Sequence, residues 1–311
     1  MHSWIPYKLK IIDGDIRCYW LNTFNKPYVE PFFAETVLKI KTLFTGRPWL
    51  NSVSDLSMLQ TWATLPAVKP TAFVFHVSRC GSTLVSQLLS ADEQNIVLSE
   101  VPFFDHILRI PYQTQQIKEK QATRLLYAAF NFYGQKRTGD EQYLFIKTDS
   151  WHIFFYKQLR ELYPDTPFIL LYRSPAEVYN SHEKLKGTHV VQGLIEPEIM
   201  GFDDAYQTPD VYVASVLEAY FTTYLKIADE DKLALLLNYN QGIMTIMDEI
   251  ARFTKIQYKP IHYIKMNERT NYHSKYPGKV YTAEDTPQVK PFLQKAHNLY
   301  LQTEQKRVNM L

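Results

Sequence analysis

The sequence predicts an α/β fold, with a parallel sheet of about five strands flanked by helices and an N-terminal extension. Five short apolar runs recur, at 71–77 (TAFVFHV), 95–99 (NIVLS), 143–147 (YLFIK), 167–172 (PFILLY) and 232–239 (KLALLLNY). Near-continuous apolar character of this kind marks strands buried on both faces of a parallel sheet. Between the runs lie helix-like stretches such as STLVSQLLSA, IKEKQATRLLYAAFNFYG, WHIFFYKQLRELYP and DVYVASVLEAYFTTYLKIADED. Several carry apolar residues three or four apart, as an amphipathic helix does. Strand alternating with helix points to α/β architecture. A chain of 311 residues with 46% hydrophobic side chains is long enough to bury one large core.

Residues 1–68 do not follow the alternation and read as an extension or small subdomain, with a helix expected from about residue 31. The two prolines of LPAVKP (65–70) mark the connector, and 69–311 form the main domain. NYNQGIMTIMDEIARFTKI reads as the last strand-helix unit. A basic loop punctuated by Gly and Pro follows over 267–285, and a final helix runs to about 305.

Lys and Arg number 34 against 32 Asp and Glu, a net charge of +2, so no global field points to nucleic acid or a membrane surface. An anion site must therefore be built locally. Cys18 and Cys80 lie far apart without metal-ligand spacing, which suits free thiols in a reducing compartment. The N-terminus lacks the apolar core of a signal peptide, and no stretch approaches the ~20 apolar residues of a membrane span. The expected location is cytoplasmic.

The segment FVFHVSRCGSTLV (73–85) passes from a strand through Ser78, Arg79, Cys80 and Gly81 into a helix. A helix N-terminus presents unpaired N–H groups and a partial positive charge, and so accepts phosphate or sulfate. Gly81 permits close backbone approach, Ser82 and Thr83 add hydroxyls, and Arg79 adds fixed charge. A nucleoside-triphosphate loop places Lys directly before its Ser/Thr, and here that position is Gly81. A second strand-to-helix turn, FILLYRSPAEVYNSHEK (168–184), sets Arg173 beside a helix N-terminus. Ser174 is the expected N-cap, Pro175 the first helical residue, and Glu177 the partner in a capping box.

Arg79-Cys80-Gly81-Ser82-Thr83-Leu84 resembles the 5'-phosphosulfate loop of sulfotransferases in its R-x-G-S-T-L form, and Arg173 with Ser181 eight residues on resembles their 3'-phosphate loop. The resemblance spans about residues 70–255. It implies a P-loop-like domain that binds 3'-phosphoadenosine 5'-phosphosulfate (PAPS) and moves its sulfuryl group to a small-molecule or saccharide acceptor without a metal, nucleic acid or membrane. YLFIKTD resembles the family's IKTH segment, so Lys147 is expected at the bridging oxygen, while Asp149 stands where that segment has His. LSEVPFFD resembles the heparan-type members, whose Glu after the second strand is the general base, which gives Glu100 that expected role. LLLNY resembles the strand whose Tyr lies near adenine, which assigns Tyr239 there. The C-terminal basic loop is expected to close over the nucleotide with Lys275 and Lys279, although it lacks the Arg-Lys-Gly triplet of the cytosolic enzymes.

Sulfuryl transfer needs a base on the acceptor and positive donors on the SO3 group and the leaving phosphate. Glu100 or, as its rival, Asp149 would take the proton; Arg79, Lys147 and loop N–H groups would meet the developing charge. Asp149 also reads as an N-cap for the helix starting near Trp151. His106 and His189 are candidates for touching the acceptor, whereas His76 reads as a core or pocket residue and His152 and His182 as partly exposed. The alternatives are an ATP-dependent P-loop kinase of small molecules, with Asp149 imitating its magnesium ligand, and a nucleotide-binding protein without catalysis. Neither the acceptor nor the oligomeric state is legible.

Overall fold

The computed structural model describes residues 3–13, 15–47, 50–62, 64, 66–203, 206–272 and 287–310. The chain opens with β1 (Trp4–Ile12), β2 (Asp15–Asn22), α1 (Phe33–Leu43), β3 (Asn51–Ser54) and α2 (Leu56–Trp62). β1, β2 and β3 form a small antiparallel sheet in that order. This sheet was not legible in the sequence, because WIPYKLKII and DIRCYWLN mix charged and apolar residues without clean alternation. It does not stand apart: β1 packs on the helices of the main domain, and the Tyr133 hydroxyl donates to the Pro6 carbonyl.

The main domain follows as β4 (Pro70–His76), α3 (Ser82–Leu89), β5 (Asn95–Ser99), α4 (Pro102–Gln113), α5 (Glu119–Tyr133), β6 (Tyr143–Lys147), α6 (Tyr156–Leu162), β7 (Phe168–Tyr172), α7 (Pro175–Lys184), α8 (Pro197–Met200), α9 (Pro209–Glu230), β8 (Ala234–Asn238), α10 (Ile243–Thr254), α11 (Pro260–Thr270) and α12 (Gln294–Met310). The five expected strands form one parallel sheet in the order β5-β6-β4-β7-β8, with β4 at its centre. All seven β4 residues except Thr71 are buried, which explains their near-unbroken apolar run. Phe73 is fully buried and meets Phe168, Phe130 and Tyr163 at ring-centroid distances of 5.3, 5.5 and 5.6 Å.

Four helices went unread, the short α2 and α8 and the longer α4 and α11. Pro102 opens α4 and Pro111 lies within it, so the prolines obscured a helix whose Phe103, Phe104, Ile107, Leu108 and Ile110 are buried. α11 extends to Thr270, into the segment expected to be loop. The stretch WHIFFYKQLRELYP begins as a 3-10 turn, Ser150–Phe155, before becoming α6. No helix among the described residues is long and apolar enough to cross a membrane.

Because Phe73 fills the middle of the central strand, Phe73→Ala is expected to destabilise the fold by about 3–5 kcal/mol. Chemical denaturation of the two proteins measures the difference, and a loss below 1 kcal/mol would contradict this account of the core.

Candidate functional site

Parallel strands all end at one edge of their sheet, and the loops leaving that edge carry ligands in open α/β folds. Here each of the five strands delivers one of the expected residues to it. Across the edge stand Glu100 after β5, Lys147 at the end of β6, the 78–83 loop after β4, Arg173 after β7 and Tyr239 after β8. Register fixes the alignment: Ser99 pairs with Lys147, Val74 with Lys147, and Tyr172 with Asn238. At about 4.8 Å per strand, the row spans about 19 Å.

At one end of the row, Lys147 Nζ donates to Glu100 Oε1. The Lys147 side chain is 1% exposed. Glu100 has φ +50°, a left-handed conformation uncommon outside glycine, and its N–H donates to the Lys147 carbonyl at 2.8 Å. Burial pushes the Glu100 carboxyl up, but the Lys147 charge and the His76 hydrogen bond outweigh it and hold the group well below the usual carboxylate range. The extension reaches this pair, since Lys147 Nζ lies 5.3 Å from the Phe32 ring centroid.

His76, the last residue of β4, is 4% exposed. Its Nδ1 accepts from the Ser78 N–H at 3.1 Å and faces the Ser150 hydroxyl at 3.1 Å. Its Nε2 lies 2.9 Å from the Thr148 carbonyl and 3.3 Å from Glu100 Oε1. A backbone N–H aimed at Nδ1 leaves the proton on Nε2, so the neutral ring donates to the Thr148 carbonyl with Glu100 close beside it. Burial, with Lys147 adding to it, lowers the His76 pKa and favours that neutral form.

The loop itself winds through left-handed backbone at Ser78, Arg79 and Gly81, with φ +67°, +49° and +80°. This curl turns the chain into the N-terminus of α3, where the first N–H groups have no partner inside the helix. A Cβ on Gly81 would fall 2.1 Å from Tyr239 Cε2, so glycine is required for Tyr239 to lie against the loop. The Arg173 guanidinium sits 5.1 Å from the Tyr239 ring centroid. Arg79 donates to the Leu185 carbonyl at 2.5 Å, joining the loop to the segment after α7. Cys80 is fully buried; its Sγ–H donates to the Leu171 carbonyl at 3.4 Å, and burial pushes the thiol up to about 12. Leu84, in the first turn of α3, is 9% exposed and packs into the core.

The second turn differs in detail from the sequence expectation. Ser174 is the N-cap of α7 and Pro175 its first residue, but the Ser174 side chain makes no capping bond. Glu177 does not reach back to the cap because its carboxylate takes Arg173 Nη2 at 2.7 Å and Asn240 Nδ2 at 3.0 Å. Arg173 Nε is buried without a hydrogen-bond partner, and Ser181 lies two turns along the same helix. Among the described residues, this leaves a fixed, unused donor between β7 and β8.

Asp149 is the N-cap of the 3-10 turn and sits beside Glu100. Its N–H donates to His152 Nδ1 at 3.3 Å, and His152 Nε2 lies 3.1 Å from Asp105 Oδ1 and 3.6 Å from Asp149 Oδ2. Asp105 also accepts from Trp151 Nε1 at 2.7 Å and Arg109 Nη1 at 3.1 Å. The three groups offer ligand atoms within 4.8 Å of one another, a spacing that invites a cation. With Nδ1 an acceptor, however, the imidazole proton is on Nε2, which leaves that nitrogen no lone pair for a metal. The arrangement is a hydrogen-bonded relay. Burial raises the Asp149 carboxyl to about 7, against the opposing pull of His152 and with added push from Glu100 and Asp105.

Two histidines depart from their expected places. His152 and His182 are each 2% exposed, buried rather than partly exposed, because His152 sits inside the relay and His182 Nδ1 accepts from the Gly187 N–H at 3.2 Å. His106 is held near Asp105, Arg109 and Lys8, on the side of α4 toward the extension, while its neighbour Asp105 takes the inward position. His189 is 3% exposed, with Nε2 buried and without a hydrogen-bond partner; its ring packs on His182, Tyr220 and Trp151. Burial, then His182, pushes its pKa well down. Lys275 and Lys279 lie outside the described residues. Sequence reasoning missed the relay and the contacts of His76, since the partners of Asp105 and His76 lie 47 and 24 positions away.

The raised Asp149 pKa makes a signed prediction for stability. The folded state holds this proton above the unfolded pKa, so the contribution is complete at low pH and is lost as pH rises through about 7. Unfolding free energies of wild type minus Asp149→Asn are expected to fall between pH 5 and 8, with a slope no steeper than about 1.4 kcal/mol per pH unit. A flat or rising difference would overturn the assignment.

Residues 70–193 match the family model described as "Sulfotransferase family". Among solved structures, the chain is similar to sulfotransferase STF9 from Mycobacterium avium, with 12% identity, 88% of this chain and 80% of that one covered, and a TM-score of 0.45. It is also similar to the sulfotransferase domain of the Synechococcus PCC 7002 olefin synthase (15% identity, 79% and 96% covered, TM-score 0.44) and to sulfotransferase STF1 from Mycobacterium tuberculosis H37Rv (13%, 67% and 75%, 0.40). No curated protein matches.

Proposed function

We propose that this chain, a sulfotransferase-family member through residues 70–193, moves a sulfuryl group from PAPS to a hydroxyl or amine of a small-molecule or saccharide acceptor. The observation that carries the reading is the row at the sheet edge, where a carboxylate, a lysine, an anion loop, an arginine and an aromatic ring follow strand by strand. PAPS has two anionic ends, and the row offers two cationic turns. The α3 N-terminus with Arg79, Cys80, Gly81, Ser82 and Thr83 takes the 5'-phosphosulfate. Arg173, whose Nε is a buried donor without a partner, and Ser181 take the 3'-phosphate; Tyr239 lies between the two turns as a surface for adenine. The basic segment with Lys275 and Lys279 is assigned to the nucleotide on the resemblance alone.

In the transfer, Glu100 accepts the proton of the acceptor, the acceptor oxygen or nitrogen bonds to sulfur, and the bond from sulfur to the 5'-phosphate oxygen breaks. Lys147 meets the charge that collects on that leaving oxygen. The pairing of Lys147 with Glu100 makes the carboxylate a poor base while the donor site is unfilled. An anionic donor draws Lys147 toward itself and releases Glu100 for its task. Asp149, raised toward neutrality, is poised to hold a proton and serves as the second candidate base. His189, buried with an unused Nε2, is the acceptor-side residue, and His106 lies farther out. The two buried free thiols support a reducing, cytoplasmic setting.

3'-Phosphoadenosine 5'-phosphate is expected to raise the melting temperature and MgATP to leave it unchanged; stabilisation by MgATP alone would favour a kinase. Glu100→Gln is expected to cut sulfate transfer from PAPS by about 10²–10⁴-fold while nucleotide binding persists. If Asp149→Asn produces that loss and Glu100→Gln does not, the base is Asp149.

A further inference from the structure

We propose that His76 is a positioning residue for this reaction. Its imidazole, held in one tautomer by the donor loop, aims Glu100 and makes the orientation of the base depend on the fold of the loop that takes the donor. The inference rests on the sulfotransferase reading. It starts from a connection that neither motif contains.

Ser78 belongs to the loop, and its left-handed φ of +67° turns its N–H back onto His76 Nδ1 at 3.1 Å. The Ser150 hydroxyl, from the turn after β6, approaches the same nitrogen at 3.1 Å. Nδ1 is thereby an acceptor, and the single ring proton resides on Nε2. Nε2 in turn is bonded to the Thr148 carbonyl at 2.9 Å and lies 3.3 Å from Glu100 Oε1. One ring thus joins the loop after β4, the base after β5 and the turn after β6. The groups that face it are Glu100, Lys147, Thr148 and Ser150, with His189 nearby, and burial keeps the ring neutral.

The chemistry assigns a specific task to this contact. Glu100 Oε1 accepts from Lys147 Nζ and lies 3.3 Å from His76 Nε2, whose single proton is shared between it and the Thr148 carbonyl at 2.9 Å. Once a bound donor draws Lys147 toward the sulfuryl group, His76 is the contact that keeps Oε1 in place and leaves Oε2 for the acceptor proton. A neutral imidazole does this while lowering the carboxyl less than a second cation would. Glu100 needs such support because its own backbone is in a left-handed conformation that a free chain seldom adopts.

Two substitutions separate the two ends of the ring. Asn places an amide oxygen near the Nδ1 position, so His76→Asn keeps an acceptor for the Ser78 N–H and loses the reach to Glu100. Gln places an amide N–H near Nε2, so His76→Gln keeps the donor to Glu100 and loses the acceptor for Ser78. With PAPS and an acceptor that supports turnover, His76→Asn is expected to lower kcat about tenfold or more with a smaller change in 3'-phosphoadenosine 5'-phosphate affinity. His76→Gln is expected to show the reverse bias, weakening nucleotide affinity more than kcat. Equal losses in both quantities for both folded variants, or no loss of kcat in His76→Asn, would overturn the proposal.

Imidazole 15N NMR of wild type with 3'-phosphoadenosine 5'-phosphate gives a readout independent of the variants' folding. A neutral Nε2–H ring at pH 7 is expected, and an Nδ1–H ring or an imidazolium would overturn the proposal. Failure of wild type to bind the nucleotide would instead sink the sulfotransferase reading, and the tautomer of the unliganded protein would still be measurable.

Discussion

The ion pair between Lys147 and Glu100 is the constraint on which the rest of the site depends. An ammonium that is 1% exposed cannot be left without an opposite charge, because removing one partner from a buried pair typically costs 3–5 kcal/mol. Parallel pairing of β5 with β6 brings the two together, with Ser99 opposite Lys147 and the Glu100 N–H bonded to the Lys147 carbonyl. The cost of the left-handed Glu100 backbone is borne by the same contacts. The pair also sets a chemical conflict, since a carboxylate stabilised by a lysine is a weak base. That conflict is useful if the substrate is the agent that resolves it, for then basicity appears only with the donor in place.

The N-terminal extension participates in this environment. Its antiparallel sheet packs through β1 on α4 and α5, and the residue that caps α1, Phe32, lays its ring beside Lys147 Nζ. Phe32 offers a face for the lysine stem and head, and covers the end of the row opposite Tyr239. Around the same pair, the Asp105, His152 and Asp149 relay ties α4 to the turn after β6, and Arg109 carries the connection on to Glu196 through Nε at 2.7 Å.

Much of this was legible because buried parallel strands write themselves as short apolar runs, and the residues just past each run fall at the sheet edge. Arg173 could be placed in that way, whereas Glu100, Lys147 and Tyr239 were singled out by their resemblance to sulfotransferase segments. What stayed hidden depends on tertiary neighbours. Nothing near Asp105 in sequence announces that Trp151 and His152 will donate to it. His152 and His182 looked exposed because polar residues surround them in sequence; in space their partners are buried groups and backbone. The capping box at Ser174 failed for a related reason, as Glu177 found better partners in Arg173 and Asn240.

Cys80 gives the 78–83 loop a last property. Its sulfur is sealed under the loop, bonded to the Leu171 carbonyl, and its thiol stays protonated up to about pH 12. Thiolate is the species that peroxides and alkylating reagents attack. Here the sulfur is a buried, protonated packing atom beneath the turn rather than an exposed nucleophile.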